Sequence, residues 1–230
     1  MLTVACVWVK SETYDSIKWV SRLYSMVQRN LFQPFRFVCI TPHGNDFKTV
    51  WCFDGADHFI TTPPRIIPPS NYLPWWYKLN LFDLGVWGEQ VLYLDLDTVV
   101  VGLLDPLVNY PSDFVMSPSS GNPAKGHDYN SSVMMWKTTS SQVEYIRSKI
   151  PPDYKRYPGD QQWLCSLPIQ VDAYPHKWIR KYLPGKGIQE PPEGTIVSLM
   201  IQGGKNQALL DAGHTWIGKY WHNGTYLPQD

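Results

Sequence analysis

Apolar runs alternate with helical stripes from the start of the chain. The run LTVACVWV (2–9) has the length and β-branched content of a buried strand. Ile17, Val20, Leu23, Tyr24, Val27 and Leu31 then recur at helical spacing behind Asp15, the expected N-cap. FRFVCIT (35–41) gives a second strand, stopped by PHGND. Strand, helix and strand at this spacing predict a β-α-β unit, and with it a parallel sheet. HFITT supplies a third strand, and the proline-rich PPRIIPPSNYLP is read as loop. WWYKLNLFDLGVW predicts a helix leading into the strand VLYLDLDTVVVG. DFVMSP and SSVMMWK follow as strands, SSQVEYIRSKI as a helix, GDQQWLCSL as a helix start and TIVSLMIQGG as a late strand. No repeat or low-complexity linker divides the pattern, so residues 1–230 are expected to form a single α/β domain.

Composition removes some classes of function. Twenty basic and twenty acidic residues cancel, leaving no electrostatic grip on nucleic acid or on an anionic membrane. The aromatic load is high, with 11 Trp and 14 Tyr, and such rings either stack on sugars and bases or fill a core. Cys6, Cys39, Cys52 and Cys165 are scattered without a C-x-x-C pair, so buried reduced thiols are expected. The N-terminus lacks a basic leader segment, and no apolar run approaches about 18 residues. A soluble, cytoplasmic protein without a transmembrane segment is expected.

The chemistry concentrates in VLYLDLDTVVVG (91–102), where Asp95 and Asp97 interrupt a run of apolar strand formers. Unpaired charges are costly to bury, so either the strand ends there or something positive meets them. Side chains two apart on a strand share a face, and open α/β sheets bind ligands beyond the carboxyl ends of their strands. Two carboxylates in that crevice suit a hard cation such as Mg²⁺ or Mn²⁺, which shares its shell with phosphates. They serve equally well as caps of a solvated loop. DLDTV also fits the D-x-D-x-[TV] strand end of haloacid-dehalogenase-like phosphatases. Against that alternative, the motif falls almost halfway along the chain, with no later G-D-x-x-x-D cluster.

Taken in order, WWYKLNLF, VLYLDLDTVVVGLLDPL, YNSSVMMWK and GDQQWL resemble the nucleotide-sugar glycosyltransferases of the GT-A fold. The resemblance is to the retaining, family-8-like group (glycogenin- and galactosyltransferase-like) and its bacterial and phage relatives. It runs from about residue 2 to residue 222. It implies a Rossmann-like GT-A domain with a mixed, mainly parallel central sheet flanked by helices. It also implies a metal-dependent hexosyltransferase using a UDP-sugar donor and an unknown glycan, protein or small-molecule acceptor.

Residue by residue, the resemblance implies that Asp95 and Asp97 hold Mn²⁺ or Mg²⁺ against the donor diphosphate. Trp8 and Tyr14 fall where such enzymes hold the base, by stacking or by packing. Lys78 falls where a basic residue reaches the donor, though a solvated helix charge is the ordinary fate of a lysine. Asn130 and Ser131 match an N-S-[GS]-V element lining the sugar site, and also suit a turn before a strand. Asp160 and Gln161 match G-D-Q beside the anomeric carbon, or simply open a helix. An amide is a poor nucleophile, which favours same-face substitution with the diphosphate taking the acceptor proton.

One element departs from the pattern. Where relatives carry F-H-G, this chain has Ile201, Gln202 and Gly203, so Gln202 replaces the expected histidine ligand, and Lys205 lies out of register with the diphosphate lysine. His214 and His222 lie downstream. The substitution leaves open a degenerate protein that binds sugar nucleotides or glycans without turnover. Acceptor sites in such enzymes sit on variable loops, here 63–75, 118–129 and 176–194.

Overall fold

The computed structural model describes residues 1–44, 59–69, 74–82, 87–119, 129–182, 190–200 and 216–222. Its core is a seven-stranded sheet. β1 (Leu2–Val7), β2 (Phe35–Ile40), β3 (Phe59–Thr62) and β4 (Gln90–Leu94) are mutually parallel, in the order β3-β2-β1-β4. Beyond β4 lie β7 (Tyr129–Lys137), β6 (Phe114–Pro118) and β8 (Asp172–Ala173). β7 is antiparallel to both β4 and β6, while β8 is parallel to β6, so β7 alone opposes the common direction. β5 (Thr98–Val100), β10 (Val197–Met200) and β9 (Ile179–Tyr182) form a second, three-stranded sheet. The mixed, mainly parallel α/β sheet flanked by helices is therefore present.

Strand parity divides the core into two layers. Val4, Cys6, Leu92 and Leu94 point to one face, where they meet α1 (Lys18–Asn30), the small sheet and α5 (Trp216–His222). Ala5, Val91 and Tyr93 point to the other, against a 3₁₀ helix (Pro74–Phe82) and the helices α3 (Ser141–Ser148) and α4 (Asp160–Ser166). A one-turn helix, α2 (Asp105–Val108), follows β5. Each fully buried Leu, Val or Phe in these layers contributes about 1.5–3 kcal/mol. Trp8, Trp19, Trp76, Trp136 and Trp221 are among the largest fully buried side chains, so for them the aromatic load is core. Trp19 and Trp221 pack edge to face between α1 and α5 at 5.5 Å.

The expected N-cap at Asp15 is displaced. α1 starts at Lys18 with Ile17 as N-cap, and the first turn is closed by Ile17 O accepting from the amides of Val20 and Ser21. The residues before it are held in a loop by other bonds: Tyr14 N donates to Ser11 Oγ, and Trp8 Nε1 donates to Tyr14 O. The helix predicted over WWYKLNLFDLGVW (75–87) is present at Pro74–Phe82 but wound as 3₁₀, with Trp76, Leu79 and Phe82 buried at intervals of three; residues 83–86 lie outside the described residues. Asn80 ties it to the preceding segment: its Oδ1 accepts from Arg65 N and Ile66 N, and its Nδ2 donates to Ile66 O and Tyr77 O. α3 carries a side-chain cap, Ser140 Oγ accepting from Gln142 N. Cys6 and Cys39 are buried free thiols facing one another across β1 and β2. Cys52 lies outside the described residues. No helix among the described residues is long and apolar enough to cross a membrane.

Candidate active site

β4 ends at Leu94, and the two aspartates lie in the turn that joins it to β5. Thr98 N donates to Asp95 O across this turn, and Asp95 N donates to Ser132 O of β7. The aspartates therefore converge because of a turn pinned at both ends, not because of the strand pleat. Parity still matters one step earlier. Tyr93 points to the 3₁₀-helix face, and its hydroxyl donates to Asp95 Oδ1.

The cation that answers the carboxylates is Lys78. Its Nζ lies 2.8 Å from Asp95 Oδ1 and 3.7 Å from Asp160 Oδ2, and its side chain is only 11% exposed. Nζ also sits 3.4 Å from Ser131 Oγ and 5.3 Å from the Tyr93 ring centroid. Burial alone would depress the ammonium. The charges of Asp160 and Asp95 outweigh it and hold Lys78 protonated above its ordinary range. Burial raises Asp160 above the usual carboxylate range, opposed by Lys78 and a hydrogen bond with Ser131. Asp160 Oδ2 itself is buried without a hydrogen bond.

Asp97 has a different environment. Burial, together with the charge of Asp95, pushes its carboxyl up to about 7 against the relief offered by Lys78 and the Tyr14 hydroxyl. The Tyr14 phenol is in turn raised by its own burial and by Asp97 and Asp95, so it stays a neutral donor. Met200 N donates to Asp97 O at 3.3 Å, which docks the end of β10 beside this aspartate.

A disrupted register brings β7 into the site. Pairing with β6 steps from Met116–Met134 to Ser117–Asn130, so residues 131–133 bulge out of register with β6 while Val133 still pairs with Leu94 of β4. Such bulges re-aim side chains. Here Ser131 N donates to Gln161 Oε1 at 3.3 Å, while Ser131 Oγ approaches Lys78. Asp160 and Gln161 open α4 behind Gly159.

These groups line one cavity of about 750 Å³, within the range of small-molecule sites. The structure brings together Tyr14, Lys78, Asp95, Asp97, Ser131, Asp160 and Gln161. Two of the residues singled out from sequence are elsewhere. Trp8 is fully buried beneath the Tyr14 loop, with its ring 5.5 Å from His43. Asn130 does not line the cavity, and its Oδ1 accepts from Ser132 N in the bulge. Asn130 and Ser131 lie within β7 rather than in a turn before it. Gln202, Lys205 and His214 lie outside the described residues, and His222 ends α5. Tyr93 and Ser132 also line the cavity and were missed, and so does Trp75, the last residue of the 63–75 stretch expected to serve the acceptor. Tyr93 was legible as the same-face neighbour of Asp95, and Trp75 as one 3₁₀ turn before Lys78.

No protein-family model and no curated protein matches the chain. Solved structures do. The galactosyltransferase LgtC, determined with donor and acceptor sugar analogues, matches over 99% of this chain and 98% of its own, with a TM-score of 0.61 at 14% identity. The chain has the GT-A fold. The glycosyltransferase GlyE of Streptococcus pneumoniae TIGR4 matches over 76% of this chain and 45% of its own, with a TM-score of 0.55 at 16% identity. Mouse xyloside xylosyltransferase 1 matches over 86% and 96%, with a TM-score of 0.52 at 10% identity. The GT-A framework accounts for the site's position at the end of β4, where the sheet changes direction. The phosphatase alternative is not carried forward, since a glycosyltransferase fold surrounds the D-x-D pair.

Proposed function

We propose that this protein is a retaining, metal-dependent glycosyltransferase that moves a hexose from a UDP-sugar to an acceptor hydroxyl. The observation that carries the reading is the Lys78 bridge between Asp95 and Asp160. In one cavity of a GT-A fold, it links the carboxylate pair suited to a cation with the Asp160–Gln161–Ser131 cluster suited to a sugar.

The residues present fit a hard divalent cation, Mn²⁺ or Mg²⁺. Both the Lys78 and Tyr93 contacts of Asp95 fall on Oδ1, leaving Oδ2 for a metal. Asp97 carries a carboxyl that burial and its neighbour hold near neutrality, as expected where a countercharge is still to come. Asp95 and Asp97 would hold the ion, with Gln202, two residues past Met200, as a third oxygen donor. When bound, the metal neutralises charge on the diphosphate.

The chain's own groups then divide the work. Tyr14 orients Asp97 through its hydroxyl and sits at the nucleoside end, with Lys205 assigned to the diphosphate. Lys78 supplies positive charge to the leaving diphosphate and holds Asp160 in place. Asp160 and Ser131 meet the donor hydroxyls. Gln161, its amide oxygen fixed by Ser131 N, faces the anomeric carbon without attacking it. The C1–O bond to the diphosphate breaks, a C1–O bond to the acceptor forms on the same face, and the acceptor proton passes to the departing diphosphate oxygen.

The first experiment is thermal shift with UDP in Mn²⁺, Mg²⁺ or EDTA on the wild type and Asp97→Asn. A metal-dependent rise that the variant loses supports the reading. No response to UDP, GDP or other sugar-nucleotide bases rejects it. A second reading, binding without turnover, is motivated by Gln202, which stands where the resemblance implies a histidine ligand. Metal-dependent UDP binding with no sugar release to any acceptor or to water would favour it.

A further inference from the structure

Trp75 is the one exposed tryptophan among the described residues, at 42% exposure, and it lines the cavity. It is also fixed. Its Nε1 donates to Pro158 O at 3.2 Å, so the indole is tied by its edge to the segment that leads into Asp160. Gly159 makes this contact possible. A Cβ there would lie 2.7 Å from Trp75 Nε1 and 3.0 Å from Cδ1, too close for any side chain while the indole stays where it is. Gly159 is extended, at φ −173°, so close approach rather than an unusual backbone angle requires the glycine.

The contacts also give the site a direction. Tyr14 bonds Asp97; Asp97 neighbours Asp95; Lys78 bridges Asp95 to Asp160; and Asp160 follows the Pro158–Gly159 segment that holds Trp75. A nucleoside diphosphate with its base toward Tyr14 and its diphosphate on the aspartates puts the transferred sugar by Asp160. The next group along the same path is Trp75. A tryptophan that exposes a large apolar surface at a ligand cavity while its only polar atom is satisfied by the backbone is built to present a flat face.

We propose that Trp75 is the platform for the acceptor, and that the acceptor is a glycan with a pyranose ring at its receiving end. A pyranose offers an apolar face of C–H bonds to the electron-rich indole face and keeps its hydroxyls at the rim. The role as acceptor subsite rests on the transferase reading above; the recognition of a pyranose does not.

Saturation-transfer NMR with lactose, maltose and cellobiose, and with sorbitol as an open-chain control, tests this on the wild type, Trp75→Ala, Trp75→Phe and Gly159→Ala, with and without UDP and Mn²⁺. At least one disaccharide is expected to bind and sorbitol to fail. Trp75→Ala should weaken the disaccharide by about tenfold or more, the loss of one stacking face. Trp75→Phe should retain most of the affinity, and Gly159→Ala, which keeps the indole but displaces it, should lose it. The cooperative melting transition of each variant without ligand reports whether it is folded. No binding of any disaccharide, equal binding by Trp75→Ala, or equal binding of sorbitol overturns the proposal. Trp75-dependent disaccharide binding without any UDP response upholds the platform and removes the transferase reading beneath it.

Discussion

Asp97→Asn should make the metal-free protein more stable, by a margin that grows from about pH 4 and is complete above about pH 7. In the folded chain the Asp97 carboxyl is pushed up from 3.8 to about 7, chiefly by burial and then by Asp95. Each whole pKa step corresponds to about 1.36 kcal/mol, so ionising this group in the fold costs on the order of 4 kcal/mol. The sign follows from proton linkage. Between the unfolded value and about 7 the folded state binds the extra proton, so stability falls as pH rises through that window. Asn removes the charge and keeps an oxygen for the Tyr14 hydroxyl. The gain should therefore be near zero at about pH 4 and reach roughly 2–4 kcal/mol above about pH 8. For a chain of 230 residues, each kcal/mol moves Tm by about 2–4 °C. Differential scanning fluorimetry in EDTA across pH should show the two melting curves diverging by at least about 5 °C at the alkaline end. Saturating Mn²⁺ should reverse the order, because only the wild type gains binding energy. A gain that is constant with pH would mean that packing, not charge, separates the two proteins. A loss at alkaline pH would refute the electrostatic account of the site.

Lys78→Met should destabilise the fold by about 3–5 kcal/mol in urea unfolding, because Asp95 and Asp160 lose their shared cation. Adding Asp160→Asn should recover part of that loss, and strict additivity of the two changes would disprove the coupling. Tyr14→Phe removes a hydrogen bond that favours the ionised Asp97, so the midpoint of metal-dependent UDP binding should rise by about one pH unit. An unmoved midpoint would show that this hydroxyl does not tune the carboxyl. Asn80→Ala deletes four hydrogen bonds from a buried side chain and should cost about 2–4 kcal/mol. Faster proteolysis at residues 65–69 should accompany it, and an unchanged cleavage pattern would argue that Asn80 does not anchor that segment.

Much of this architecture was legible because burial is written in short periods. The runs at 2–7 and 35–40 and the stripe between them define β1, α1 and β2 without reference to distant residues. Asp95 and Asp97 stood out because charge is rare in such company. What gathers around them was harder to read, since it depends on tertiary events. The β7 bulge that presents Ser131 arises from mismatched pairing with β6, and no local signal in YNSSVMMWK announces it. Asn130 and Ser131, adjacent in sequence, part company at that bulge. Trp8 and Trp75 are chemically the same residue, yet one is sealed under a loop and the other faces the cavity. The difference between α and 3₁₀ winding at 74–82 was present in the spacing of Trp76, Leu79 and Phe82, but nine residues also fit an α-helical stripe.

That winding couples two halves of the cavity. At three residues per turn, Trp75 and Lys78 stack in one line along the 3₁₀ helix. In an α-helix, at 3.6 residues per turn, the same two positions would diverge by about 60°. The indole and the ammonium would then address different walls. The pitch of a single short helix thus acts as a spacer between what the cavity does with an aromatic face and what it does with a positive charge. Substitutions on its buried line, at Leu79 or Phe82, that favour α winding would change which ligands fit together without altering any residue that touches them.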